Sequence, residues 1–150
     1  MTGFGVRRAT EEDLDAWASL RHQLWPHLPL EGHRAEIVDA LAQPEKLVAF
    51  VCLSATGNAI GLAEASVRSD YVNGCETSPV AFLEGIVVDP SFRRQGVAAS
   101  LVAAVTNWAK DEGLSELASD AEIHNAVSHA MHAALGFEET QRVVYFRKSL

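Results

Sequence analysis

Cysteine is scarce in this chain, with only Cys52 and Cys75 among 150 residues. Two are too few for a disulfide framework. One sits in an apolar run and the other in a polar loop, so both read as thiols of a reducing compartment, and a cytoplasmic location is expected. Long hydrophobic runs are missing too. No stretch approaches the ~18 uninterrupted apolar residues a membrane span needs, and the opening MTGFGVRRATEEDLD lacks the apolar core of a signal peptide. Positive charge is in short supply: 12 Lys and Arg face 20 Asp and Glu, a net charge of −8. That balance argues against a nucleic-acid partner, which requires a basic surface, and suits a protein that attracts cations. The six histidines do not form a recognisable ligand set. His22, His27 and His33 are scattered, and His124, His129 and His132 have no cysteine or acidic partner at ligand spacing, so no metal is expected. No repeat, low-complexity tract or linker divides the chain, and residues 1–150 are expected to form a single domain.

Apolar residues make up 48% of the chain and charged residues 21%, the balance of a globular protein with a packed core. Phe4 to Arg8 has extended character. Thr10 offers a helix N-cap followed by Glu11, Glu12 and Asp13, which complement the positive end of the helix dipole. Leu14, Trp17, Leu20 and Leu24 then recur at helical spacing until Pro26, and Ile37, Val38 and Leu41 carry a second short helix. Val48 to Leu53 and Ala59 to Val67, joined by Thr56-Gly57-Asn58, predict a hairpin. After a loop of turn formers from Asp70 to Pro79, Val80 to Val88 is the most apolar strand, interrupted by Glu84-Gly85. Gly96 opens a helix with Val97, Leu101, Val105 and Trp108 on its core face. Leu114 to Ser119 predicts a strand, Asn125 to Leu135 a helix closed by Gly136, and Val143 to Phe146 a final strand. The order β-α-α-β-β-β-α-β-α-β indicates an α/β (α+β layered) domain.

The stretch richest in chemistry runs from Leu83 to Ala98, where a buried-type strand leads into a turn with two arginines and a glycine, and a helix follows at once. Unpaired N–H groups and a partial positive charge make a helix N-terminus an anion site, and glycine lets a ligand approach the backbone. Cations such as Arg93 and Arg94 oppose the dipole there, so an anionic ligand explains them better than a solvated surface does. The spacing is neither the Walker pattern nor Gly-x-Gly-x-x-Gly, which disfavours a P-loop and a Rossmann dinucleotide site.

Arg93-Arg94-Gln95-Gly96-Val97-Ala98 resembles the acyl-CoA pyrophosphate loop of the GNAT N-acetyltransferase superfamily, and Asn125 with Leu135-Gly136-Phe137 resembles that superfamily's later motif. Gln23-Leu24-Trp25-Pro26, Asp70 to Cys75, Ser78-Pro79-Val80, Phe82 to Ile86, Ala118-Ser119-Asp120 and Leu135 to Thr140 together resemble aminoglycoside 6'-N-acetyltransferases. The likeness runs from about Leu20 to Lys148. It implies a GNAT-like fold: a central mixed β-sheet splayed between two parallel strands, with helices on both faces. It also implies acetyl-CoA as acetyl donor, paired through the backbone of Ile86, Val87 and Val88 like an added strand. The amides of Arg94, Gln95, Gly96, Val97, Ala98 and Ala99 would hold the pyrophosphate, and Asn125 the pantetheine arm.

On this likeness the acceptor is the 6'-amino group of an aminoglycoside, flanked by Trp25, His27 and Tyr71, with Glu84 and Asp120 as candidates for base and ammonium partner. Asp120 reads equally well as a turn cap, and Asn125 also as an N-cap. Three positions depart from the family pattern. His132 stands where many members have a tyrosine general acid, His27 follows Pro26 directly, one or two residues early, and Gln141 replaces a common acidic residue. A homodimer is expected from the family. The rival readings are a GNAT enzyme for polyamines or protein N-termini, and a non-catalytic acyl-CoA-binding module.

Overall fold

The computed structural model describes residues 3–150. Five strands form one sheet in the order β1 (Phe4–Arg8), β2 (Leu47–Ser54), β3 (Ala59–Arg68), β4 (Val80–Val88) and β5 (Leu117–Ser119). The first three junctions are antiparallel, and β4 and β5 run parallel, so the sheet is mixed. Helices α1 (Leu14–Leu24) and α2 (Leu30–Leu41) cover one face, while α3 (Val97–Asp111) covers the other. A nine-residue helix with no fully buried residue, α4 (Ala126–Ala134), follows β5.

The sheet's two faces follow from strand alternation. On β3, Ala63 and Ala65 join Val97, Leu101, Val105 and Trp108 of α3 in one core, and Leu62 joins Trp17, Leu20 and Ile37 in the other. The apolar stripe expected for the Gly96 helix is therefore core, as its spacing indicates. Gly61 is needed for close approach. A Cβ there would stand 2.8 Å from Val97 Cγ1 and 3.1 Å from Leu101 Cδ1, so glycine lets the start of α3 settle onto the sheet opposite Val88.

Alternation breaks where the β2–β3 register shifts between Cys52 and Leu53, and again at the Glu84-Gly85 interruption. Glu64 pairs with Gly85 and Ala65 with Leu83, leaving Glu84 as the extra residue of a β-bulge. The consequence is visible in the packing: Ala81 and Leu83 belong to the α3-side core, and so do Ile86 and Val88, three residues beyond Leu83 rather than two. The phase shift puts Glu84 and Gly85 both on the α1–α2 side.

The strand expected at Val143 to Phe146 is absent. Residues 137–150 form no helix or strand, and Val144, Tyr145 and Phe146 are 77%, 83% and 93% exposed. These residues favour strands, but a strand needs a partner edge, and within this chain none is paired with them. Strand β5 is also shorter than Leu114 to Ser119. Leu114 instead donates its N–H to Ala109 at the end of α3.

Candidate active site

Two structural features converge at the C-terminal end of β4. The parallel ladder joins only Ala81, Phe82 and Leu83 to Leu117, Ala118 and Ser119. Beyond it β4 continues to Val88, paired with β3 through Val88–Gly61 on one side only. Among the described residues no strand pairs with the edge of Ile86, Val87 and Val88 that faces away from β3, which leaves a template for an extended chain of amides.

The turn after β4 is shaped by backbone geometry. The Asp89 carboxylate accepts from Ser91 N–H at 2.9 Å, and the chain then passes through Arg94 at φ 64° and Gly96 at φ 86°. Two left-handed residues separated by one draw successive amides into a concave nest suited to an anion. The first backbone bond from the turn into α3 is Ser100 N–H to Gly96 carbonyl, 3.0 Å, and the amides ahead of it have no helical acceptor. Gly61 brings this nest beside the open edge of β4. Arg93 reaches back to the Val88 carbonyl through Nε at 3.4 Å, and both arginines are exposed. Asn125 caps α4, its Oδ1 accepting from Ser128 N–H at 3.1 Å. That is the structural role weighed for it from sequence.

On the α1–α2 side a hollow of about 380 Å³ is lined by Trp17, Arg21, Trp25, Glu36, Glu64 and Glu84, among others. Trp25 follows the last turn of α1, its N–H bonded to the Arg21 carbonyl at 2.8 Å. Its ring lies on Gly85, where a Cβ would stand 2.7 Å from Trp25 Cη2. Glu84 is thus beside Trp25, as required if both contact one ligand. The Glu84 carboxylate accepts from Ser66 Oγ at 2.5 Å, from Arg68 Nε at 3.1 Å and from Arg68 Nη2 at 2.8 Å. Arg68 also covers the Phe82 ring, 3.5 Å from its centroid. Sequence reasoning missed Ser66, Arg68 and Glu64. The available signal was their period-two spacing in an otherwise apolar strand.

Asp120 and the Asp70–Pro79 loop border a second, wider hollow of about 1160 Å³. Its lining includes Gly74, Ser119, Asp120, His132, Gln141 and Tyr145. The structure therefore gathers Trp25 with Glu84 and separates both from Asp120, which lies just past β5. Tyr71 is 70% exposed, and His27 is exposed in the turn after α1; neither lines either hollow. The loop bearing Tyr71 is fixed at its base by Glu116, whose carboxylate accepts from Glu76 N–H at 3.0 Å, from Thr77 N–H at 2.7 Å and from the Thr77 hydroxyl. Those bonds, led by the Thr77 hydroxyl, hold the Glu116 carboxyl below its ordinary range. Gly74 packs on Thr140 with no room for a side chain.

His132 has a defined tautomer. Its Nδ1 lies 2.7 Å from the Ser128 carbonyl, an acceptor only, so Nδ1 carries a proton, and Nε2 meets Ser119 Oγ at 2.7 Å. Among the described residues no group of three or more His, Cys, Asp or Glu is gathered as metal ligands, and both cysteines are free.

Residues 11–137 match the acetyltransferase (GNAT) family. The chain belongs to the GNAT acetyltransferase family. The mixed sheet, with its parallel β4–β5 pair and helices on both faces, is a GNAT fold. Among its relatives, an aminoglycoside N(6')-acetyltransferase type 1 of Serratia marcescens is 54% identical over 139 residues, covering 93% of this chain and 94% of the relative. The protein of the same name from Salmonella typhimurium is 50% identical over 143 residues, covering 95% and 97%. A solved structure of the aminoglycoside N-acetyltransferase AAC(6')-Iy with CoA superposes at a TM-score of 0.94, with 47% identity, covering 100% of this chain and 97% of that one. The same enzyme with the bisubstrate analogue CoA-S-monomethyl-acetylneamine gives 0.93 and 48%, covering 99% of both chains.

Proposed function

We propose that this GNAT protein transfers the acetyl group of acetyl-CoA to the 6'-amino group of aminoglycoside antibiotics, by direct transfer in a ternary complex, and so confers resistance to them. The observation that carries the reading is the parting of β4 from β5 after the Leu83–Ser119 pair, beside the amide nest at Arg94 to Gly96. Ile86, Val87 and Val88 would pair with the pantetheine amides, the amides of Arg94, Gln95, Gly96, Val97, Ala98 and Ala99 would hold the pyrophosphate, and Asn125 would lie along the arm. The relatives at about half identity support the aminoglycoside as acceptor.

The acceptor arrives as an ammonium and must lose a proton before its nitrogen attacks the thioester carbonyl. A carbon–nitrogen bond then forms, the carbon–sulfur bond breaks, and CoA leaves as the thiolate, which is neutralised by the second proton that the nitrogen gives up as the amide forms. Glu84 and Asp120 are the two carboxylates assigned to hold the ammonium and accept its proton, directly or through water. Glu84 has its orientation set by Ser66 and Arg68. Trp25, His27 and Tyr71 would bound the sugar ring. A net charge of −8 draws polycationic acceptors toward the site, and acetylation removes one of their charges.

We also assign residues 1–150 to one domain; support comes from the single sheet that underlies both cores of the described residues. We further assign a homodimer in the cytoplasm. Support for the dimer comes from the unpaired apolar tail at Val143 to Phe146 and the one-sided pairing of β5, which a second copy would satisfy together. Support for the compartment comes from two free thiols and from the lack of any described helix long and apolar enough to cross a membrane.

The deciding experiment is CoA release with kanamycin- and tobramycin-like acceptors, compared by kcat/KM with polyamines and N-terminal peptides. Faster turnover of the drugs supports the proposal. Preference for polyamines or peptides would move the substrate class. Acetyl-CoA binding with no amine turned over would leave an acyl-CoA-binding module. Light scattering of the full chain and of a chain ending at Arg142 tests the dimer, with a monomeric full-length protein rejecting it.

A further inference from the structure

The α1–α2 hollow contains a half-buried carboxylate, Glu64, with 16% of its side chain exposed, that the transfer reaction does not use. Glu64 lies on β3, two residues before Ser66 and across from Gly85 of the bulge. Its Oε2 accepts from Trp17 Nε1 at 2.6 Å and stands 2.9 Å from Arg21 Nε. Burial raises its carboxyl, and Arg21, followed by the Trp17 hydrogen bond, offsets part of that shift. Arg21 is itself 8% exposed. Its guanidinium carbon sits 5.0 Å from the centroid of the Trp25 ring, a cation–π geometry. Trp25 in turn rests on Gly85, beside Glu84.

We propose that Glu64 is a positioning residue for the acceptor: it holds Arg21, Arg21 holds the Trp25 ring on the Glu84-Gly85 bulge, and the geometry of the acceptor hollow follows. The inference rests on the assignment of Trp25 and Glu84 to acceptor binding. Magnitudes select Glu64 rather than the other carboxylate near Arg21. Glu36 Oε2 also lies 2.9 Å from Arg21 Nη1, but its side chain is 55% exposed, and ion pairs on water-exposed carboxylates contribute little. A buried guanidinium that loses its inner partner is costly to leave in place. Without Glu64, Arg21 is drawn outward to Glu36, and the Trp25 ring loses the group that backs it.

The test is Glu64→Gln, which keeps the side chain's shape and an acceptor for Trp17 while removing the ion pair. The acceptor KM is expected to rise roughly two- to thirty-fold, the span of one cation–π contact, with the acetyl-CoA KM unchanged. Arg21→Lys, which keeps the charge without the planar stack, should do the same. In a Trp25→Ala background Glu64→Gln should add nothing, because the group it acts through is gone. An unchanged acceptor KM, an equal rise in both KM values, or full additivity with Trp25→Ala would each overturn the proposal. Fluorine NMR of the 5-fluorotryptophan-labelled protein reads the same chain of contacts without turnover. With the signal of Trp25 assigned by Trp25→Phe, Glu64→Gln should shift it and leave that of Trp108 in place. An inactive parent protein would reject the acetyltransferase reading, and an unmoved Trp25 signal would reject this one.

Discussion

Gly85→Ala separates two opposing effects whose sizes can be compared. Glycine-to-alanine replacement removes freedom from the unfolded chain and stabilises by about 0.4–1 kcal/mol wherever the native backbone suits alanine. Gly85 is not among the glycines with positive φ, so its backbone raises no objection. The added methyl, however, would stand 2.7 and 2.8 Å from Cη2 and Cζ2 of Trp25 and 2.8 Å from Leu24 Cδ2. Ordinary carbon contacts lie at about 3.5–4.0 Å, so three overlaps must be relieved together. Trp25 cannot swing freely, since Arg21 lies against its ring and His33 Nε2 donates to its carbonyl at 3.0 Å. Overpacking of this kind costs about 1–3 kcal/mol, which outweighs the entropic gain over most of that range. The net expectation is a loss of about 1–2 kcal/mol, lowering Tm by roughly 2–8 °C in a chain of this size. The displaced ring should raise the acceptor KM and leave the acetyl-CoA KM alone, because the coenzyme edge of β4 starts one residue later. Calorimetry and steady-state kinetics measure both. Gly5→Ala is the control, with open space around its Cβ and no positive φ, and it should be neutral or mildly stabilising. A Gly85→Ala protein as stable as the control, with an unchanged acceptor KM, would refute the steric reasoning.

Arg94 holds φ 64° without being glycine, a conformation that costs an L-residue roughly 1–2 kcal/mol. Arg94→Gly should therefore raise Tm slightly while increasing the acetyl-CoA KM, a trade of stability for function visible in one variant. Glu84→Gln and Asp120→Asn are each expected to reduce kcat/KM for the aminoglycoside, by about 10²–10⁴ for whichever group takes the proton. Parental kinetics in both would remove these carboxylates from the reaction. Glu116→Gln should loosen the Asp70–Pro79 loop, read as faster amide exchange at Glu76 and Thr77. Because the folded state holds the Glu116 carboxyl below its ordinary 4.5, its ionised form contributes stability above that pH, and the contribution is lost as pH falls through the depressed folded value. The difference between parent and Glu116→Gln should accordingly be full at neutral pH and shrink in acid. A pH-independent difference would contradict the linkage.

The elements legible in the sequence are those whose signals are local. The Gly96 helix announces itself by a glycine start and four core residues at helical spacing, all buried in the structure. The β2–β3 hairpin is written in its Gly57 turn; Thr10 caps not α1 itself but the short 3-10 turn Glu11–Asp13 that leads into it, its N–H donating to Asp13 at 2.8 Å. The turn ahead of α3 was legible in part, because Gly96 marks the helix start. Its left-handed Arg94 was not, since no residue preference marks it. The β-bulge was half legible: Glu84-Gly85 reads as an interruption, but only the β3 register shows that one residue is extra and that both side-chain positions therefore face α1 and α2.

What the sequence hides are relations between distant segments, and the C-terminal residues show why. Val143-Val144-Tyr145-Phe146 has the composition of a strand, and composition alone predicts one. Strand stability nevertheless belongs to the pair rather than to the segment, and β5, the edge strand, is three residues long with its ladder to β4 ending where the two strands part. The parting frees the edge of β4, while the outer edge of β5 is only three residues long and offers little to the chain's own tail, so the tail stays unpaired for want of an edge rather than of strand composition.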